Sequence, residues 1–352
     1  MRDMTLLPIF DGHNDVLLRL VRREGAARAF LAGTEDGQLD LPRARTGGLV
    51  GGLFAVFAPP PSGFAYAEQM MGAHYDVPLP GMLPMNEARE AALAMIALLL
   101  RIERESAGDV AICRDTGEIR AAIARGAFAT VLHIEGAEAI DPELEMLEVL
   151  HAAGLRSIGP VWSRPTVFGH GVPFRFPGSP DTGPGLTEAG ERLVAACNAL
   201  RILIDLSHLN EAGFWDVARL SKAPLVATHS NAHAITPSTR NLTDRQLDAI
   251  RDSDGMVGLN FATCFLRPDG RMRIDTGLDT MLRHLDYLME HVGENRVGFG
   301  SDFDGALIPA EIGSAAGLPN LVAAMRAHGY DEALLTKLGS ENWLSLLERT
   351  IG

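Results

Sequence analysis

The 352-residue chain predicts an α/β fold in which eight parallel strands close into a distorted (β/α)8 TIM barrel, with a short extra strand-helix insertion and long βα loops over its mouth. Three observations carry this expectation. Short, nearly uninterrupted apolar runs alternate with stretches of helical spacing, the pattern of parallel strands covered on both faces by crossover helices. Strand after strand ends in a chemically active side chain, at His13 and Asp15, Glu135, His208, His229 and Asp302. In a barrel those ends converge on one mouth. The long unpatterned connections, Ala58 to Met85, Arg164 to Leu186 and Ala262 to Thr276, all follow a strand, so they stand as walls or lids over that same mouth. An open doubly wound sheet is the rival, but no Gly-x-Gly-x-x-Gly turn follows the first strand and no Walker motif is present.

The first strand, Ile9-Phe10-Asp11-Gly12-His13-Asn14-Asp15, leads into a helical stretch from Val16 to Phe30 and a Gly/Asp-rich loop. The apolar run Gly48 to Phe57, bounded by glycine and by Pro59-Pro60-Pro61, is expected as a buried strand, and helical spacing follows over Glu87 to Glu105. A short strand within Asp109 to Arg114 and a helix over Thr116 to Arg125 form the insertion. Phe128 to Glu135 is the next barrel strand; the helix after it, from about Pro142, is stopped by Gly154. Strands are then expected at Leu155 to Ser163, Arg201 to His208, Pro224 to Ser230, Gly255 to Phe261 and Arg296 to Asp302. Helices over Thr187 to Leu200, Glu211 to Leu220, Thr243 to Ser253 and Gly277 to His291 separate them, and C-terminal helices run from about residue 319.

A barrel of this kind occupies residues 1–352 as a single domain, and 47% hydrophobic residues are ample for its core. Against 31 Lys and Arg stand 45 Asp and Glu, a formal charge of −14. That balance argues against nucleic acid or an anionic membrane as partner, since both require clustered positive charge. The three cysteines, Cys113, Cys197 and Cys264, show no Cys-x-x-Cys spacing and fit isolated thiols in a reducing compartment. Asp3, Pro8 and Asp11 interrupt any leader-like apolar segment, and the longest apolar run, Ala91 to Leu100, is too short to span a bilayer. The expectation is a cytoplasmic protein.

Residues i and i+2 of a strand point the same way, so His13 and Asp15 are expected side by side. Imidazole nitrogen with carboxylate oxygen suits zinc or a similar divalent ion, and two ligands from one strand leave room for others. Glu135 closes Val131-Leu132-His133-Ile134-Glu135, where a buried carboxylate is costly unless paired or coordinated. His133 shares its parity one step deeper, as a core or supporting histidine. His208 and His229 end consecutive strands and lie close enough to grip one ion. Of Asp302 and Asp304 in Gly300-Ser301-Asp302-Phe303-Asp304-Gly305, one is a candidate for chemistry and the other for a cap or turn.

Six motifs in one order, Asp-Gly-His-Asn-Asp, Ile-Glu-Gly-Ala-Glu, Leu-Ile-Asp-Leu-Ser-His, Thr-His-Ser, Ser-Thr-Arg-Asn and Gly-Ser-Asp-Phe-Asp-Gly, run from about residue 9 to 305. Together they resemble the renal (membrane) dipeptidase family of zinc metallopeptidases, within the amidohydrolase superfamily. The resemblance implies two Zn2+ or similar divalent ions per chain. His13 and Asp15 would hold one, His208 and His229 the other, and Glu135 would bridge them. It also implies Asp302 as acid/base, Arg240 as the group that binds the substrate's terminal carboxylate, and a homodimer.

The chemistry expected of such a site is hydrolysis of a dipeptide's peptide bond, with a C-terminal D-residue among the substrates considered. Paired cations about 3.5 to 4 Å apart lower the pKa of a shared water and yield a bridging hydroxide. One cation stabilises the oxyanion, Asp302 moves a proton to the departing amine, and the planar fork of Arg240 matches a carboxylate. One departure stands out. Where the family commonly places a substrate-binding histidine after the fourth strand, this chain has Trp162, in Val161-Trp162-Ser163-Arg164-Pro165. Indole offers only a donor, so His170 or Arg164 substitutes, or the metal alone carries the oxyanion, or the substrate differs. Hydrolysis of another amide, such as an N-acyl amino acid or a β-lactam-like ring, therefore stays open. A purely structural metal site is disfavoured, because it needs neither an acid/base nor an open coordination position.

Overall fold

Eight parallel strands follow one another around a ring in their chain order. The computed structural model describes residues 6–60 and 67–352; residues 61–66 of the expected Ala58 to Met85 connection, with Pro61, and the N-terminal five, with Asp3, lie outside the described residues. The strands are β1 (Ile9–Asn14), β2 (Leu49–Phe57), β3 (Tyr75–Val77), β4 (Val110–Ile112), β5 (Phe128–Glu135), β6 (Leu155–Gly159), β7 (Phe174–Phe176), β8 (Leu203–Ile204), β9 (Val226–Ala227), β10 (Met256–Asn260) and β11 (Val297–Gly300). The sheet runs β8-β6-β5-β2-β1-β11-β10-β9. An Asp205–Val226 bridge, with Leu206 N donating to Val226 O at 2.8 Å, joins its two ends. The result is a distorted (β/α)8 barrel.

β4 is the strand of the insertion, pairing with the first half of β5 while β6 pairs with the second half. The sequence had no signal for β3 and β7, a two-stranded antiparallel sheet whose Tyr75, Val77, Phe174 and Phe176 pack with Phe57, Trp162 and Phe265 at the mouth. The stretch Val16 to Phe30 is two helices, Val16–Leu20 and Ala26–Ala32, broken at Gly25 with φ 65°. The loop after it holds a helix, Leu41–Gly47, in which the Asp40 side chain accepts from Arg43 N and Pro42 sits in the first turn. β8 and β9 are shorter than expected because the chain beyond them turns to other partners: Asp205 Oδ1 takes the backbone N–H groups of Ser207 and Thr228 at 2.9 and 2.8 Å.

Alternation along β5 shows how the interior is layered. Leu132 and Ile134 face the helices, while Ala129 and Val131 face inward with Phe10, Leu53, Leu203, Val226 and Met256 to form a floor. Trp343, from the C-terminal helix Asn342–Thr350, completes that floor, fully buried, with Nε1 donating to Phe299 O at 2.9 Å. Gly12 and Gly298 make room for its indole, since a Cβ at either would collide with the ring, while at Gly258 a Cβ would strike Thr228 O first. Among the described residues, no helix is long and apolar enough to cross a membrane.

Candidate metal centre

Above the floor the same inward positions turn polar: Val131 is followed on β5 by His133 and then, at the rim, Glu135. His13 and Asp15 arrive differently from the simple alternation the sequence suggested. The pairing of β1 with β2 is irregular between Asp11 and Asn14, the strand stops at Asn14, and Asp15 is the N-cap of Val16–Leu20. That turn nevertheless sets Asp15 Oδ2 3.4 Å from His13 Nε2. Glu135 Oε1 is the point of convergence: His208 Nε2 lies 3.0 Å away, His229 Nε2 3.4 Å and His13 Nε2 3.8 Å. The His13 and His229 rings stack with centroids 3.8 Å apart. Donor atoms of Glu135, His208 and His229 lie within 4.8 Å of one another, as do those of His13, Asp15 and Asp302.

Buried hydrogen bonds hold these side chains. His208 and Asp302 both sit in the left-handed backbone region, φ 68° and 59°, which histidine and aspartate enter more readily than most residues. Val172 N bonds His208 O at 2.8 Å, and Asp302 N bonds His13 O at 3.0 Å, fixing both conformations. Asn260 Nδ2 donates to Asp302 Oδ2 at 3.0 Å. Asp11 ties β1 to β11, accepting from Ser301 N at 2.7 Å and Ser301 Oγ at 2.8 Å; burial pushes its carboxyl up to about 6 despite those bonds. Asp304 turns away from the centre to accept from Gln38 N at 2.7 Å and to pair with Arg19 at 3.0 Å. His133 lies beneath, its Nδ1 2.8 Å from Ser157 Oγ. Asn260 was missed in the sequence although, as a polar residue ending an apolar strand, it carried the same signal as Glu135. Asp11, Asp205 and Thr228 carried none.

The mouth cavity holds about 70 Å³ of free space, lined by Asp15, Glu135, His208 and Asp302 on one side and by Phe57, Met70, Trp162, Phe174, Phe265 and Met272 on the other. Trp162 is thus on the wall, 5.8 Å centroid to centroid from the His208 ring. Arg164 and His170 do not line the cavity. Arg164 is wholly buried, with Nε 2.7 Å from Glu138 Oε1 and Nη2 donating to Ala58 O at 2.8 Å; His170 Nδ1 donates to Gly185 O at 3.1 Å. Arg240 stands just behind the wall. Its Nη2 donates to His229 O at 3.1 Å, its guanidinium lies 5.3 Å from the Phe265 ring centroid, and its Nε has no hydrogen-bond partner among the described residues.

Charge at the centre is unbalanced. Burial alone would lower His13, but Glu135, Asp15 and Asp302 outweigh it and pull the imidazole up to about 10. Burial pushes the Glu135 and Asp302 carboxyls up and the His208 and His229 imidazoles down. Three imidazoles and three carboxylates thus crowd one buried space, and both ring nitrogens of His13 and Asp15 Oδ1 lack hydrogen-bond partners among the described residues. Mixed nitrogen and oxygen donors converging in this way fit divalent cations of the zinc type.

Comparison with known proteins agrees with this chemistry. A family model described as membrane dipeptidase, peptidase family M19, matches residues 2–350. The chain is 58% identical to a metallopeptidase from Rhodobacter sphaeroides whose crystal structure is liganded with a phosphinate mimic of the dipeptide L-Ala-D-Ala; 98% of this chain and 100% of that one are covered, with a TM-score of 0.97. It is 59% identical to dipeptidase AC, a family M19 metallopeptidase, over 99% of this chain and 100% of the other, again with a TM-score of 0.97. An uncharacterised protein in the pqqA 5′ region of Klebsiella pneumoniae is 52% identical over 253 residues, 72% of this chain and 93% of its own length.

Proposed function

The chain belongs to the membrane dipeptidase family, peptidase family M19, and on that premise we propose that it is a two-metal, zinc-dependent dipeptidase acting on small dipeptides, including those with a C-terminal D-residue. The observation that carries this reading is the convergence of three imidazole nitrogens on the single oxygen Glu135 Oε1. His13 and Asp15 would hold one ion, His208 and His229 the other, with Glu135 shared. Ions so held supply Lewis acidity at the scissile carbonyl and lower the pKa of the attacking water. The relative liganded with a dipeptide mimic supports a dipeptide substrate and its D-residue.

The remaining steps fall to the chain's own residues. Asp302, on the cavity wall and oriented by Asn260, accepts the proton of the attacking water and delivers it to the departing amine, which leaves poorly as an anion. Arg240, just behind the wall with its Nε unmatched, is the cation assigned to attract the terminal carboxylate. Trp162 and its aromatic neighbours exclude water and give the substrate's side chains an apolar surface. Three free buried thiols, Cys113, Cys197 and Cys264, support the cytoplasmic placement.

Trp162 also favours a second reading, hydrolysis of another amide, because no histidine stands at that position of the cavity wall. A dipeptide library with L and D residues at each position, run beside a panel of N-acyl amino acids, separates the two. The expected outcome is turnover confined to dipeptides, close to two zinc-like ions per chain by elemental analysis, and loss of activity on chelation. One ion or none after metal-replete expression removes the two-metal mechanism; N-acyl amino acids as the better substrates remove the dipeptidase reading.

A further inference from the structure

Behind His229 stands a row of buried groups that the reaction does not use. Thr228 Oγ1 lies 2.6 Å from Asp205 Oδ2 and 2.8 Å from His229 Nδ1. Asp205 is held in turn by its other oxygen, which accepts the backbone N–H groups of Ser207 and Thr228. All three side chains are at most 1% exposed. A hydroxyl has one proton. Donated to the Asp205 carboxylate, it leaves Oγ1 able only to accept from the imidazole, so His229 must carry its proton on Nδ1 and turn a bare Nε2 lone pair toward Glu135. Asp205 Oδ2 also lies 3.8 Å from His229 Nδ1 and from His133 Nε2, and the carboxylate falls within ligand range of His13 and His229, but both of its oxygens are engaged, which argues against Asp205 as a ligand itself.

The two halves of the centre differ in this respect. His208 has a comparable support, with Ser163 Oγ 2.8 Å from its Nδ1. His13 has no hydrogen-bond partner at either ring nitrogen among the described residues, so no hydrogen bond from behind fixes its ring. We propose that Asp205 and Thr228 are positioning residues that fix the tautomer and orientation of His229, so that the Glu135, His208 and His229 end of the centre is preorganised and captures a cation first. The proposal rests on the two-metal reading above. Preorganisation is the reason for the order: an imidazole already turned and deprotonated at the binding nitrogen loses neither a proton nor rotational freedom on binding.

Asp205→Asn tests it with little change of shape. The carbonyl oxygen of the introduced amide can keep the two backbone donors, but its nitrogen now donates to Thr228 Oγ1. The hydroxyl proton is thereby directed to His229 Nδ1 and the imidazole proton to Nε2, where an ion should bind. Metal-free protein is examined by ¹⁵N NMR of the imidazoles and titrated with Zn2+ against a chromophoric chelator. The wild type should show His229 protonated on Nδ1 and two uptake steps. Asp205→Asn should move that proton to Nε2 and weaken the first step about 10- to 100-fold while sparing the second. Thr228→Val should weaken the first step similarly, and Thr228→Ser should restore it. An unchanged tautomer or first step in Asp205→Asn overturns the proposal, as does failure of Thr228→Ser to restore binding, or a loss that only tracks the melting temperature of the metal-free protein. Wild-type stoichiometry, read in the same titration, is what fails if the two-metal reading is wrong.

Discussion

Asp302 reaches the centre only because its backbone takes a left-handed turn, φ 59°, directly after β11, while Asn260 and the His13 carbonyl hold it there. Asp302→Asn keeps the size and the bond from Asn260 but cannot carry the proton. We predict full metal content and a kcat lowered by about 10²- to 10⁴-fold; unchanged turnover would assign the acid/base role elsewhere. A second prediction concerns His284, buried away from the centre, which accepts from Ala232 N at 3.2 Å and donates to Leu266 O at 2.9 Å. Burial, with a smaller push from Arg283, lowers its imidazole to about 4. The unfolded chain, near 6.5, therefore binds the extra proton between the two values. His284's contribution is complete above about pH 6.5 and is lost as pH falls toward 4, by about 3 kcal/mol. Urea unfolding of wild type against His284→Gln should show the wild type's advantage growing as pH rises from 4 to 6.5; parallel pH profiles would refute it. Among site residues, the convergence of His13, Glu135, His208 and His229 was legible because each ends an apolar run. Asp205 and Thr228 were not, since an aspartate or threonine near a short strand carries no mark of what it will touch.

Three consecutive strand-end segments are tied together by one buried cation. Arg164, after β6, pairs with Glu138, after β5, and donates to Ala58 O, after β2, while its guanidinium lies 5.5 and 5.7 Å from the ring centroids of Trp162 and Phe57. The arginine the sequence offered as a stand-in for a substrate-binding histidine is thus committed to bracing the aromatic wall. Arg164→Met leaves Glu138 charged and alone in a dry site, and should cost about 3–5 kcal/mol in urea unfolding; adding Glu138→Leu should recover most of it. A single mutant within 1 kcal/mol of wild type would contradict this account. At this scale the alternation of strand and helix was legible, whereas β3 and β7 were not. Each spans three residues and its partner lies about a hundred positions away, so no periodicity within either segment could betray it. The irregularity in β1 was hidden for a related reason: it depends on how two strands pair, and composition along one strand does not record that.

The barrel orders its interior in layers, with an apolar floor, a belt of glycine and buried polar groups, and a reactive rim. Eight strands and the side on which the rim lies followed from the sequence; the identity of the floor's last piece did not, because Trp343 comes from a helix more than forty residues beyond the last strand. Two glycines, on β1 and β11, hold a space shaped to its indole. Trp343→Ala should destabilise the protein by about 3–5 kcal/mol, measured by chemical denaturation; a loss under 1 kcal/mol would mean that the strands collapse into the gap. This plug also governs traffic. Among the described residues, a cylinder stoppered at its base leaves the mouth as its doorway, so in the proposed reaction both halves of a cut substrate would depart through the opening by which the intact molecule entered. Arrivals and departures then contend for one passage, and liberated amino acids hinder the next admission whenever they linger in it.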